Sequence, residues 1–190
     1  MKKIVLTFTL FFQLTIIFCQ ENEKFVIIKN TKNWSKEIIK FPIDWVPELA
    51  VKGFEELLFS PKWKDKKSDE FWSLVMSWNI KSKSRFSKKK IAYYFKSYFD
   101  GLMEPNHWAK EFPKPKVTFK RSSKRKLSGN MTFFDGFHTG KILTVNIEVE
   151  QYLCKKSNNV FIIFRISPKA KNHSIWKNLH QLKLRTNFCK

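Results

Sequence analysis

No catalytic or cofactor signature occurs in these 190 residues. There is no G-x-S-x-G elbow, no P-loop, no H-E-x-x-H helix and no dinucleotide fingerprint. No cofactor is therefore expected. Glycine is scarce, at 5 residues, and no Gly/Ser linker, internal repeat or low-complexity block divides the chain. Acidic residues number 16 against 37 basic ones. Among the basic residues arginine is rare, confined to Arg85, Arg121, Arg125, Arg165 and Arg185; all the others are lysine.

What is present is charge and aromatic bulk. The formal net charge is +21, and phenylalanine alone contributes 20 residues. So basic a chain is drawn to anionic surfaces such as acidic glycans, lipid headgroups or acidic proteins. Arginine favours bidentate recognition of phosphate and bases, whereas lysine is a solvated point charge. The shortage of arginine therefore counts against nucleic acid. A second account of the charge stays open. Lys, Asn, Ile and Phe share A/T-only codons, so drift in an AT-rich genome gives this composition without a ligand.

The N-terminus reads as an export signal. Lys2 and Lys3 precede a mostly apolar run over residues 4–19, which Glu21, Glu23 and Lys24 end abruptly. The run is shorter than the ~20 apolar residues of a membrane-spanning helix, and its layout is that of a secretory signal peptide. Cleavage after Cys19 would free Gln20 and give a periplasmic or secreted protein. Phe18 before Cys19 fits a lipoprotein site poorly, so a lipid anchor is the weaker alternative. Residues 20–190 are expected to form one domain.

Periodicity supplies the fold class. Residues 25–28, 37–41 and 53–59 read as strands. Trp72, Leu74, Met76, Trp78 and Ile80 then alternate with Ser73, Val75, Ser77 and Asn79, the pattern of a half-buried strand. After Ser87 the period changes. Ile91, Tyr94, Phe95, Tyr98, Phe99 and Leu102 line one face of a helix, with Ser87 as cap and Gly101 as stop. Residues 117–119, 131–134, 142–153 and 160–166 read as strands, the last three as an antiparallel meander. Ser174 is placed to cap a final helix carrying Ile175, Trp176, Leu179 and Leu182. The prediction is an α+β domain, order ββββα-ββββα: a mainly antiparallel, curved sheet of about seven or eight strands wrapping the aromatic helix. The seven tryptophans and most phenylalanines are expected in the core; a Trp-lined ligand pocket is the alternative use for them.

Several stretches together resemble a family of uncharacterised secreted proteins of Bacteroidota. They are Lys40-Phe-Pro42 with Trp45-Val-Pro47, Gly53-Phe-Glu-Glu56, Phe59-Ser-Pro61 with Trp63, Phe71-Trp72 with Trp78, Tyr98-Phe-Asp-Gly-Leu102, and Ser167-Pro168 with His173 and Trp176. The resemblance spans nearly all of the chain after the signal. It implies export and an AT-rich bacterial source, and it brings no activity or site residue with it.

No catalytic residue or metal ligand is expected. His173 and His180 lie about two helical turns apart, near 10 Å, too far to share a metal. Asp135 and His138 sit together in Asp-Gly-Phe-His, where turn chemistry explains Asp and Gly. Glu55 and Glu56 are adjacent on a strand, so their side chains point to opposite faces. Two basic clusters remain as a candidate anion site: Lys88, Lys89 and Lys90 in the opening turn of the aromatic helix, and Lys120, Arg121, Lys124, Arg125 and Lys126. Lysine suits a helix N-terminus badly because the macrodipole is positive there, and a bound anion would reverse the penalty. Solvated, non-specific lysines are the competing account. Loss of Cys19 leaves Cys154 and Cys189, which can pair in an oxidising compartment. Their Cα atoms would then lie within about 7 Å. A buried thiol at Cys154 and a frayed tail at Cys189 are the alternative. The leading expectation is a non-catalytic exported binding module for an anionic partner, against a novel enzyme or small-ligand carrier built on a Trp-lined pocket.

Overall fold

The computed structural model describes residues 26–30, 34–104 and 112–189. The expected signal peptide, with Cys19 and Gln20, lies outside the described residues, as does the first residue of the strand expected at 25–28. Nine strands and two helices follow in chain order: β1 (Ile28–Lys29), β2 (Ser35–Phe41), β3 (Gly53–Phe59), β4 (Leu74–Lys81), α1 (Lys88–Met103), β5 (Lys116–Arg121), β6 (Lys126–Asp135), β7 (Lys141–Cys154), β8 (Asn159–Ser167), α2 (Ile175–Gln181) and β9 (Lys183–Leu184). Seven strands form one antiparallel sheet in the order β2-β3-β4-β8-β7-β6-β5. Strand β8 sits between β4 and β7 and so joins an N-terminal meander to a C-terminal one. The fold is α+β and mainly sheet. Two details differ from the sequence reading. A ninth short strand follows α2, and it pairs with β1 in a separate two-stranded ribbon.

Each face of the sheet carries a core. On one face α1 buries Ile91, Phe95, Tyr98, Phe99 and Met103 against Met76, Trp78, Phe133 and Phe164. Phe95 stacks on Phe164 at 4.7 Å between ring centroids, and Trp78 meets Phe164 edge-on at 4.7 Å. On the other face α2 and the β1–β9 ribbon bury Ile27, Ile28, Val75, Phe161, Ile163 and Trp176. Strand β4 is thus covered on both sides, with Val75 and Ser77 at 0 % exposure. This corrects the expected half-buried strand. The alternation of large and small side chains is real, but the small ones face a second layer rather than water.

Helix α1 opens as expected: the Ser87 hydroxyl accepts from the Lys90 backbone N–H at 3.2 Å. It does not stop at Gly101, as expected, but continues to Met103. Glycine is needed there for proximity, because a Cβ at this point would overlap the Trp45 carbonyl oxygen. Ser174 precedes α2 but makes no capping bond. His173 does that work, its Nδ1 accepting from the Ile175 N–H at 3.2 Å. The strand read from Trp72 begins two residues later, at Leu74. Cys154 and Cys189 are disulfide-bonded, with Cα atoms 5.2 Å apart. Phe188 beside the bond packs edge-on against Phe161 and Tyr152, so the tail is held over the end of β7.

Candidate functional site: a basic end and an aromatic cleft

Strand register divides the molecule into two ends. Phe41 pairs with Gly53, Gly53 with Ile80, Ile80 with Val160, and Cys154 with Asn159, so these residues mark one end. Here β4 leaves through Lys81, Lys83 and Arg85 toward α1, and the β7–β8 turn carries Lys155 and Lys156. Lys81 and Ser82 are fastened to that turn, through Ser157 O at 3.2 Å and Asn158 O at 2.8 Å.

The two basic clusters come to this same end. Lys114, just before β5, reaches Asp100 late in α1 at 3.1 Å, and Phe119 packs on Phe95 in mid-helix. Strand β5 therefore runs antiparallel to α1, and its exit at Lys120 and Arg121 lies toward the helix start. A buried glutamine locks the junction. Gln151 donates its backbone N–H to Arg125 O at 2.9 Å. Its side chain accepts from Phe86 N at 3.0 Å and donates to Phe86 O at 3.1 Å. Phe86 immediately precedes the α1 cap, so the turn holding Lys124 and Arg125 is tied to the turn holding Lys88 and Lys89. No acid stands in the first turn of α1. Two members of the candidate set are engaged locally. Lys126 pairs with Glu150 at 2.9 Å, and Lys90 Nζ lies 4.8 Å from the Phe86 ring and 5.4 Å from the Tyr94 ring. Lys88, Lys89, Lys120, Arg121, Lys124 and Arg125 are exposed. Among the described residues, the register places two carboxylates level with this set: Glu150 opposite Lys126, and Glu148, through Ser128, in line with Lys120.

The opposite end holds an aromatic cleft of about 650 Å³, within the usual range for small-ligand sites. Loop residues 60–73 and the β6–β7 turn supply much of it. Trp63 stacks on Phe59 at 4.4 Å and meets Trp72 edge-on at 6.0 Å. Trp72 N–H bonds to Trp63 O at 3.0 Å, which closes the loop. In the β6–β7 turn the Asp135 carboxylate accepts from the backbone N–H groups of Phe137, His138 and Thr139 and from the Thr139 hydroxyl. Asp135 thereby builds the turn that presents His138, whose ring lies 5.0 Å from Trp63 and 5.9 Å from Trp72. Burial pushes the His138 imidazole below its ordinary range, as do Lys64 and Lys66, against the pull of Asp135. The expectation that every tryptophan is core thus fails at this end. Trp45 is 39 % exposed and Trp63 half-buried, both on the cleft wall, while Trp108 lies outside the described residues.

The two adjacent glutamates are the groups that sequence reasoning undervalued. Glu55 and Glu56 point to opposite faces, and both are at 0 % exposure. Glu56 Oε2 accepts from the N–H groups of Ile27 and Ile28 at 2.7 and 2.8 Å, pinning the start of β1. Burial pushes its carboxyl up, and those two N–H groups oppose the shift. Glu55 lies on the α1 side, beside Tyr98 and Trp78. Burial raises its carboxyl to about 8; Tyr98 and Trp78 pull it back, and Glu37 adds to the rise. Neither Glu55 oxygen reaches good hydrogen-bond geometry. The available signal was an acidic pair inside the apolar run GFEELLF.

The remaining sequence candidates separate. His173 faces Asp69, with Nε2 3.6 Å from Oδ2, whereas His180 Nε2 lies 2.7 Å from Glu148. Among the described residues no group of three or more His, Cys, Asp or Glu side chains is placed to hold a metal ion. No helix among them is long and apolar enough to cross a membrane. Comparison with protein-family models, with curated proteins and with solved structures finds no match.

Proposed function

We propose that this chain is an exported, non-catalytic binding module of the Bacteroidota secreted type, and that its basic end docks an acidic glycan. The observation that supports the reading is convergence. Lysines and arginines from the α1 start, the β5–β6 turn and the β7–β8 turn share one end of the sheet, and the Gln151 clamp fixes two of these segments together. Solvated lysines recognise field rather than shape, which suits a repeating polyanion over a single small anion.

The test is retention on heparin across a salt series. The fourfold variant Lys88→Gln, Lys89→Gln, Lys124→Gln and Arg125→Gln removes charge from the basic end. The control Lys62→Gln, Lys64→Gln, Lys66→Gln and Lys67→Gln removes as much from the cleft end. Four exposed contacts of a few tenths of a kcal/mol each predict about a tenfold or greater loss for the first set. Equal losses in the two sets would sink the reading in favour of diffuse charge. Tighter binding to anionic lipid vesicles than to heparin would move the partner to a headgroup.

A second reading, a small-ligand site, has its own support in the cleft and in the raised Glu55 carboxyl behind its Tyr98 wall.

A further inference from the structure

We infer that the aromatic cleft is a binding site for a small aromatic carboxylate, whose ring lies between Trp63 and Phe137 and whose carboxylate takes the Trp72 indole N–H. This site is separate from the basic end.

Three observations meet at Trp72. Its side chain is 97 % buried, at 3 % exposure, yet its indole N–H has no hydrogen-bond partner. An unpaired buried donor is unfavourable and uncommon. The residue also lines the cleft, so a guest that parts the surrounding rings far enough to reach this enclosed N–H supplies the missing acceptor. Its backbone is left-handed, with φ at 51°. That conformation is costly for a bulky residue, and such strain gathers at functional positions. Finally, Trp72 is a hub of rings: Phe133 at 5.0 Å, His138 at 5.9 Å, Trp63 at 6.0 Å and Phe137 at 6.4 Å between centroids. The strained backbone presents the indole at one fixed place in this wall.

The class of ligand follows from what surrounds that N–H. Flat aromatic walls favour a ring, through edge-on and offset contacts. His138 Nε2 is a second buried atom without a partner, and neutral imidazole can donate from it. Lys64 also lines the cleft, with its Nζ 5.4 Å from the Trp63 ring. Lys64 and Lys66 act on His138 from this side. Asp135, the acid nearest to His138, has both oxygens taken up by its own turn. Two unpartnered buried nitrogens in the cleft wall, with Lys64 in the same lining, favour an anionic oxygen. Glu37, which also lines the cleft, stands on β2, two strands from β4, and leaves the Trp72 side to the carboxylate.

The test is calorimetric titration of the folded protein with 2-naphthoate, with 2-naphthylmethylammonium as the cationic counterpart. Saturable one-to-one binding of 2-naphthoate is expected, with the ammonium compound much weaker. Trp72→Phe keeps a ring and deletes the donor, and should weaken naphthoate about tenfold. Phe137→Ala, at the exposed mouth, is a second variant that leaves the core intact; about a fivefold loss is expected. Unchanged affinity in either folded variant, or equal affinity for the ammonium compound, would overturn the proposal. Naphthoate binding should survive the fourfold basic-end variant, and heparin binding should survive Trp72→Phe, so each site stands or falls alone.

Discussion

At the basic end, charge comes from turns and a helix start, and most of it is exposed with no ion pair to an acid among the described residues. At the cleft end the lysines are nearly as dense, but acids are interleaved with them. Lys169 pairs with Asp69 at 2.6 Å, and the Glu70 and Asp65 carboxylates, which accept from the backbone N–H groups of Lys62 and Lys67 at 2.9 Å each, put negative charge on the same loop. Strand β4, between the two ends, is eight residues long, which puts them roughly 25 Å apart, beyond the screening length at physiological salt. Acids interleaved among the lysines, not lysine count, therefore decide which end projects the stronger field. The apolar contrast runs the other way. At the basic end Phe86 and Tyr94 are covered by Lys90, whereas at the cleft end Trp45 is 39 % exposed and Trp63 half-buried on the cleft wall.

The largest stability effect is expected beside the cleft, at Glu55. Below pH 4.5 its carboxyl is protonated in both folded and unfolded chains and costs nothing. Between 4.5 and about 8 the unfolded chain ionises while burial keeps the folded form protonated. Stability is then lost as pH rises, at up to about 1.4 kcal/mol per pH step and on the order of 4 kcal/mol in all. Glu55→Gln should abolish that loss. Urea unfolding of variant and wild type at pH 4.5, 6 and 8 should show a growing gap, and a constant gap would mean that Glu55 ionises in the fold.

Next in size is the disulfide at the basic end. Cys154 and Cys189 are 35 residues apart, and loop-closure entropy gives roughly 3–4 kcal/mol for that length. The Cys154→Ser, Cys189→Ser double variant should lose up to that amount in denaturant unfolding. The tail should become open to carboxypeptidase while the cleft stays intact. Loss of naphthoate binding together with the tail would show that the two ends are coupled.

The smallest effect sharpens the charge comparison. Lys88→Glu with Lys89→Glu places acids where the α1 macrodipole favours them, and should raise stability by a few tenths of a kcal/mol per residue at low salt. Heparin retention should fall in the same protein. A variant both less stable and less retained would mean that those lysines make contacts beyond their charge.

Local rules carried the elements well where one neighbour decided the outcome. Ser87 caps α1, the face from Ile91 to Phe99 is buried, and Asp135 with Gly140 makes the β6–β7 turn. They failed where a distant segment intervened. Gly101 looked like a stop until the Trp45 carbonyl arrived against it. Ser77 looked solvent-facing until α2 and the β1–β9 ribbon closed over β4. The basic clusters were readable as runs of lysine, but their sharing one end depends on the direction of β5 against α1. The cleft was readable only as a surplus of tryptophan.

Composition and period therefore determined what this protein is made of: an antiparallel α+β scaffold, an aromatic helix, a pair of cysteines and a heavy excess of lysine. Those follow from spacing along the chain, because hydrogen-bonding period and side-chain volume act between near neighbours. Tertiary structure decided which of the aromatic residues stay open, which glutamate titrates near neutrality, and which lysines add their fields. Each of these depends on how much water remains beside a group once the second layer has docked. Segments far apart in sequence set that quantity, through burial and dielectric.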